Sequence, residues 1–212
     1  MHVTYIKPTL RKAKHLGEVN PITIIIKKKR EGLNRMVKNY GFIESVDANL
    51  VLKGWSIRRY FQPGDIGSLV FLHGTLYAKE YGYDQSFEAY VAKGLAEFVG
   101  SFDPKYESVW IVVTTGQIIG CIAVARNSEK EAQLRWFFVH PDFRGSGIGT
   151  SLLADAVQFC KDHGYKTVSL WTTSELATAQ HLYTQAGFQK REEKTHEIWG
   201  KLLTEERYEL QF

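Results

Sequence analysis

The chain has 212 residues, of which 44% are hydrophobic and 24% are charged, the balance of an ordinary globular protein with one domain and a short appendage. No apolar run reaches the ~18 residues that a membrane span needs, and the first residues lack the apolar core of a secretory signal. We therefore expect a cytoplasmic protein without a membrane partner. Cys121 and Cys160 lie far apart in apolar patterns, which predicts two reduced, buried thiols and no metal site.

Charge divides the chain into two parts. Residues 1–54 carry eleven Lys and Arg against four Asp and Glu, a net +7, whereas the whole chain is only +4. We therefore predict a basic N-terminal extension over 1–54 and a main domain over 55–212. The run 22–26 has strand composition, and the basic cluster 27–30 fits a solvated connection better than a nucleic-acid contact. We expect the extension to be ordered and to dock on the domain or on a second copy of the chain, as a homodimer.

The first half of the main domain predicts one strand, two helices and three further strands. WSIRRY alternates as a strand does, and Asp65 stands where a helix N-cap is expected. The spacing of apolar residues then predicts helices over 66–81 and 86–99. A hairpin over 107–126 and a strand over 132–139 follow.

The second half returns to an alternating order. An amphipathic helix ends near Gly164, and the strand KTVSLWT, the helix LATAQHLYTQAG and two final strands follow it. The complete order is β-α-α-β-β-β-α-β-α-β-β, which predicts an α/β fold with a mixed sheet and helices on both faces.

The connection between the strand over 132–139 and the next helix is rich in glycine. Gly145, Gly147 and Gly149 alternate there, beside Arg144. Glycines let a ligand approach the backbone closely, and the unpaired N–H groups at a helix start favour an anion. The corner lacks the Lys-Ser/Thr of a P-loop, and its G-x-G-x-G spacing differs from the dinucleotide fingerprint. It is therefore a candidate site for another phosphate ligand, although tight turns also use glycine.

Two motifs in order resemble the GCN5-related N-acetyltransferases (GNAT). RGSGIG at 144–149, preceded by FFVHP, is similar to the first signature of that family, and LYTQAGF at 182–188 is similar to the second. HGTLYAKEYGYD and LWTTSELATAQHLYTQAGF more narrowly resemble the acetyltransferase half of bacterial fusions with a MarR-type regulator. Only 54 residues precede the domain here, so DNA binding is not carried over.

The resemblance implies that acetyl-CoA is the co-substrate. Its pyrophosphate would lie on the backbone of the glycine corner, and its pantetheine arm would enter a gap beside the preceding strand. The implied contacts are Phe137, Phe138, Val139, Arg144, Gly145, Ser146, Gly147, Ile148, Gly149 and Thr150. Leu176 replaces the Asn that the family often has, which puts one pantetheine contact in doubt.

The resemblance also implies catalytic roles. Tyr183 matches the residue that protonates the departing CoA thiolate, and a phenol arrives protonated at neutral pH. On the first helix His73, Tyr77, Glu80 and Tyr81 share a face. We predict that Glu80 is the base or amine-binding anion and that His73, Tyr77 and Tyr81 contact the acceptor. Two alternatives stay open: a core role for His73, and Glu131 as the base.

The predicted activity is direct acetyl transfer to a small-molecule or peptide amine in a ternary complex. No residue resembles a covalent nucleophile, since Cys121 lies mid-strand and Cys160 on a buried helix face. The alternative is a non-catalytic acyl-CoA-binding or regulatory protein. Trp110, Trp136 and Trp171 fit either the core or a pocket wall.

Overall fold

The computed structural model describes residues 54–212. The predictions for the N-terminal extension, including the strand at 22–26, the basic cluster at 27–30 and docking on the domain, lie outside these residues. No helix within 54–212 is long and apolar enough to cross a bilayer.

The described part of the chain contains seven strands and four helices in the predicted order. The strands are β1 (Ser56–Arg58), β2 (Ser108–Thr114), β3 (Gln117–Arg126), β4 (Glu131–Val139), β5 (Thr167–Thr173), β6 (Gln189–Ile198) and β7 (Lys201–Gln211). The helices are α1 (Asp65–Tyr81), α2 (Gln85–Ser101), α3 (Ile148–Asp162) and α4 (Ala177–Gln185). The strands form one sheet in the order β1-β2-β3-β4-β5-β7-β6. The predicted mixed α/β fold is confirmed.

The start of α1 differs from the prediction by one residue. Gly64, in the left-handed conformation, is the N-cap, and Asp65 is already helical. The Asp65 carboxylate accepts hydrogen bonds from Arg58 at 2.6 and 2.5 Å and from the Gln62 N–H at 2.6 Å. The carboxylate therefore holds β1 against the helix instead of capping it.

Two apolar clusters cover the two faces of the sheet. One joins α1 and α2 to the sheet and includes Leu69 and Leu95. The other joins α3 and α4 to the opposite face and includes Leu152 and Tyr183. This division explains the one-sided apolar pattern of each helix, because each buries a single stripe.

The sheet opens between its two parallel strands. β4 and β5 pair only from Glu131 with Thr167 to Gln133 with Ser169, and they diverge beyond that point. On its other side β4 stays paired with β3 as far as Val139, with a register shift opposite Trp136, which has a φ of 49°. A β-bulge bends a strand and re-aims its side chains. The sheet is therefore split between β4 and β5, as the resemblance implies, and the structure adds a bulge beside the split.

The tip of the β6–β7 hairpin packs on the same face of the sheet as α1 and α2. Its two-residue turn, Trp199-Gly200, has φ values of 52° and 80°, as a tight hairpin turn requires. The Asp84 N–H donates to the Trp199 carbonyl at 3.1 Å, which fixes the turn to the α1–α2 connection. The turn thus places Trp199 beside the helices.

Candidate functional site

The glycine corner, residues 144–150, connects a short 3-10 turn after β4 to α3. Gly145 and Gly147 have φ values of 75° and 84°, which favour glycine. A Cβ on either residue would meet no atom of the described domain within 4 Å, so the domain leaves open space there. Gly147 caps α3 without a side-chain hydrogen bond, and the first N–H groups of a helix have no partner inside it. This arrangement suits an anion.

The other corner residues face different surroundings. Ser146 Oγ donates to the Phe143 carbonyl at 2.6 Å, which closes the turn. Ile148 is buried in the core, and Thr150 is exposed. A Cβ on Gly149 would make ordinary contacts with side chains of β4 and α4 at 3.6 to 3.7 Å. The open approach to the backbone therefore lies at Gly145 and Gly147.

Arg144 and Glu80 form a two-bond ion pair between the corner and α1. Arg144 Nη1 lies 2.8 Å from Glu80 Oε2, and Nη2 lies 2.9 Å from Oε1. Arg144 Nε also donates to the Val139 carbonyl at 3.0 Å. The sequence predicts Arg144 at the cofactor end of the site and Glu80 at the acceptor end. The structure joins them, with side-chain exposures of 45% for Arg144 and 21% for Glu80.

A pocket of about 130 Å³ lies where β4 and β5 diverge. Its lining comes from both faces of the sheet, because the gap between the strands connects them. Four of the predicted site residues line it: His73, Tyr77, Phe137 and Tyr183. Tyr81 lies next to Tyr77, with ring centroids 5.5 Å apart, but is outside the lining, as Glu80 is.

His73 presents a neutral imidazole to this pocket. Its side chain is buried, and Nδ1 donates to the Leu69 carbonyl at 2.8 Å, since a carbonyl can only accept. Burial lowers the pKa of His73 to about 4, although the bond to Leu69 opposes the shift. Among the described residues Nε2 has no hydrogen-bond partner. His73 therefore has one buried lone pair that no described residue satisfies, and such groups are uncommon in native proteins.

Tyr183 lies on α4 with its side chain buried, 6.1 Å from the Phe137 ring. Burial raises the pKa of Tyr183 well above its ordinary value, so the phenol is protonated at neutral pH. Burial also raises the pKa of Tyr77, and the proximity of Tyr183 adds to that shift. Two protonated phenols thus face the gap from opposite sides of the sheet.

Glu131 is held at the far end of β4. Its carboxylate accepts hydrogen bonds from Ser169 at 2.8 Å and from Arg207 at 3.0 Å. Burial raises the pKa of Glu131, but hydrogen bonds from Ser169, Asn127 and Arg207 outweigh it and leave the pKa below its usual value. Glu131 does not line the pocket, which weakens its case as a rival base.

The structure assigns each of the three tryptophans to the core or to the pocket wall, a choice that the sequence leaves open. Trp110 packs edge-on against Phe159 in the core, whereas Trp136 and Trp171 line the pocket. Sequence reasoning missed Arg135 and Trp199, which also line it. The Trp-Gly turn signals a hairpin, but no local pattern shows that its tip returns to α1 and α2.

Comparison with known proteins agrees with this geometry. Residues 74–188, more than half of the chain, match the model of the acetyltransferase (GNAT) family. An uncharacterized N-acetyltransferase of Methanocaldococcus jannaschii is 32% identical over 126 residues, 55% of this chain and 55% of that protein. N-acetyltransferase family 8 member 2 of Rattus norvegicus is 34% identical over 110 residues, 48% of this chain and 49% of that protein. The chain therefore spans about half the length of these curated relatives.

Solved structures share the fold. A Salmonella typhimurium protein described as an acetyltransferase and solved with its cofactor acetyl-CoA superposes with a TM-score of 0.60 at 16% identity. The match covers 74% of this chain and 94% of that one. At this identity the likeness supports the fold alone.

Proposed function

The chain belongs to the acetyltransferase (GNAT) family, and on that premise we propose that it transfers an acetyl group from acetyl-CoA directly to an amine. The observation that carries this proposal is the pocket at the divergence of β4 and β5, because it opens to both faces of the sheet and contains a buried, protonated Tyr183. A donor arm that enters from the α3 side and an amine that enters from the α1–α2 side would meet there.

We propose that the glycine corner binds the pyrophosphate of acetyl-CoA. The open backbone at Gly145 and Gly147 and the uncapped start of α3 support this role. Arg144 lies beside them, and a pyrophosphate would compete with Glu80 for its guanidinium. The unpaired side of β4, including Phe137 to Val139, would hold the pantetheine arm as an added strand is held.

We propose that the amine attacks the thioester carbonyl without a covalent enzyme intermediate. Burial raises the pKa of the Cys121 thiol well above its usual range and that of the Cys160 thiol to about 12, so neither supplies a thiolate at neutral pH. As the tetrahedral adduct collapses, the carbon–sulfur bond breaks and Tyr183 donates its phenolic proton to the leaving sulfur.

The acceptor amine must lose one proton before or during attack. His73 Nε2 is a hydrogen-bond acceptor for the amine, but a pKa of about 4 makes its imidazole a weak proton store. We propose that Glu80 takes the proton after acetyl-CoA draws Arg144 toward the phosphates. Tyr77 stacks beside His73 and packs against Tyr81, which follows Glu80 in α1, so these two rings would line the path from His73 to Glu80.

A turnover screen tests the proposal against a non-catalytic acyl-CoA-binding role. The full chain is incubated with acetyl-CoA and a panel of small amines, amino acids and peptides, and products are identified by mass spectrometry. We expect a product that is heavier than its amine by one acetyl group, with release of one CoA per product. Acetyl-CoA binding without any acetylated product would support the binding role instead.

A further inference from the structure

We propose that the amine acceptor carries a carboxylate and that Arg135 binds it. This inference rests on the proposed acetyl transfer and names the substrate class of the same pocket. Its basis is the charge balance of the pocket lining and one buried donor without an acceptor.

Arg135 follows Leu134, which packs on the α3–α4 face, so ordinary alternation directs Arg135 to the α1–α2 face, and a bulge brings Trp136 to that face as well. Arg135 pairs with Ala123 and Phe138 with Cys121, so Trp136 and Phe137 stand opposite one residue of β3. The bulge brings consecutive side chains to the α2 side: a Cβ on Gly94 would lie 3.1 Å from Arg135 Nη2 and 3.2 Å from Trp136 Cζ2. In a regular strand neighbouring side chains point to opposite faces.

The guanidinium of Arg135 is held by rings and not by a carboxylate. Its Cζ lies 4.8 Å from the centre of the Trp136 ring, and its Nη2 donates to the Tyr90 hydroxyl at 3.2 Å. No Asp or Glu in residues 54–212 forms an ion pair with it. Most of its five donors therefore remain available to a ligand.

Glu205, the other charged residue of the pocket lining, already has a cationic partner. Glu205 accepts a hydrogen bond from His196 Nε2 at 2.7 Å and lies 3.2 Å from Lys194 Nζ. The described lining thus has one free charge, and it is positive. A carboxylate satisfies a guanidinium in a two-bond geometry, whereas a second ammonium on the acceptor would find no free anion.

Trp136 adds a neighbouring donor. Its side chain is only 8% exposed, and its Nε1–H has no acceptor among the described residues. A buried donor left without a partner costs about 1–3 kcal/mol, so a ligand oxygen placed there would recover free energy. Arg135 and Trp136 together point to an acceptor-rich anionic group.

The rest of the lining suggests a small apolar body between the amine and the carboxylate. Tyr83, Phe87 and Trp199 form part of the wall, and the volume of about 130 Å³ is close to that of a cavity that holds benzene. Small amino acids with apolar side chains combine these features.

The test compares amines that differ only in the carboxylate. L-leucine, L-leucinamide and 3-methylbutylamine share a side chain and an amino group, and the same comparison is made with the free acids and amides of the other common amino acids. Acetylation is measured as kcat/KM, and binding is measured by calorimetry with the enzyme saturated in CoA. The variants are Arg135→Gln, Arg135→Lys and, as a matched control, Arg126→Gln, whose guanidinium stacks on Tyr106 at 4.2 Å outside the pocket.

We expect the wild type to favour at least one acid over its amide by tenfold or more in kcat/KM and in Kd. Arg135→Gln should lower kcat/KM and raise Kd, each tenfold or more for the acid and less than threefold for the amide, while Arg135→Lys restores part of the preference and Arg126→Gln changes neither. Thermal unfolding confirms that each variant is folded.

The outcomes separate this inference from the proposed function. Acids that bind in preference to amides but are never acetylated would support the carboxylate site and refute the acetyl transfer. Amides acetylated as fast as acids, equal losses for both in Arg135→Gln, or no binding of any acid would overturn the carboxylate site.

Discussion

Replacing Gly147 by valine should separate the cost of backbone strain from the loss of cofactor binding. Gly147 is the N-cap of α3 with φ 84° and ψ −3°, a conformation that a β-branched residue adopts only at a cost of roughly 1–3 kcal/mol. Within residues 54–212 no atom outside the neighbouring residues lies within 4 Å of the added Cβ, so the folded state loses stability through strain and not through a clash. The added methyl groups occupy the space where we place the pyrophosphate.

Gly64 provides a matched control for this substitution. It is the N-cap of α1 with φ 95° and ψ −16°, it also lacks a side-chain cap, and a Cβ there would likewise meet no described residue within 4 Å. Gly64→Val should therefore lose a similar 1–3 kcal/mol without any effect on the cofactor.

Thermal unfolding with and without acetyl-CoA measures both effects. A ligand at 100 times its Kd stabilises the native state by about 2.7 kcal/mol, and a tenfold loss of affinity reduces that to about 1.4 kcal/mol. At roughly 2–4 °C per kcal/mol, the shift in Tm caused by acetyl-CoA should shrink by about 3–5 °C in Gly147→Val and stay unchanged in Gly64→Val. Equal acetyl-CoA shifts in the two folded variants would refute the placement of the pyrophosphate.

Three further changes test the other groups of the site. Tyr183→Phe should lower kcat by ~10²–10⁴ with acetyl-CoA affinity retained, because only the proton donor is lost; wild-type turnover across pH 6–9 would leave Tyr183 a packing residue. Glu80→Gln should lower kcat by ~10² or more without weakening acetyl-CoA binding, since Arg144 remains available to the phosphates, and unchanged steady-state kinetics would restrict Glu80 to its ion pair. His73 has a native pKa of about 4 against an unfolded value near 6.5, so the native state binds fewer protons and loses about 3 kcal/mol as pH falls from 6.5 to 4. Urea unfolding at several pH values should show a shallower acid loss for His73→Phe, and identical slopes would contradict the buried neutral imidazole.

Local patterns determined the elements of the described domain. Apolar spacing and turn residues predicted the complete order of strands and helices, because each helix buries one stripe and that stripe is visible in its sequence. The glycine corner was equally visible, since positive φ at Gly145 and Gly147 restricts the residue type. The error at Asp65 arose because a carboxylate near a helix start also suits an ion pair, and Arg58 is brought to it by the fold.

The pairing of side chains across the gap depended on the tertiary structure. Glu80 and Arg144 are 64 positions apart in the sequence, which predicted separate roles for them, and only the fold shows that they form an ion pair. Trp136 lines the pocket and Trp110 does not because β4, which carries Trp136, borders the gap, whereas β2, which carries Trp110, does not.

The acceptor side of the site shows most clearly which contacts the sequence does not predict. Alternation along β4 predicts opposite faces for Arg135 and Trp136, but the bulge places both side chains beside α2. Trp199 reaches the same pocket from the far end of the chain through a hairpin turn fixed to Asp84. Sequence determines local conformation through short-range sterics and burial, whereas the charge left uncompensated in a pocket depends on which distant partners the completed fold brings within reach.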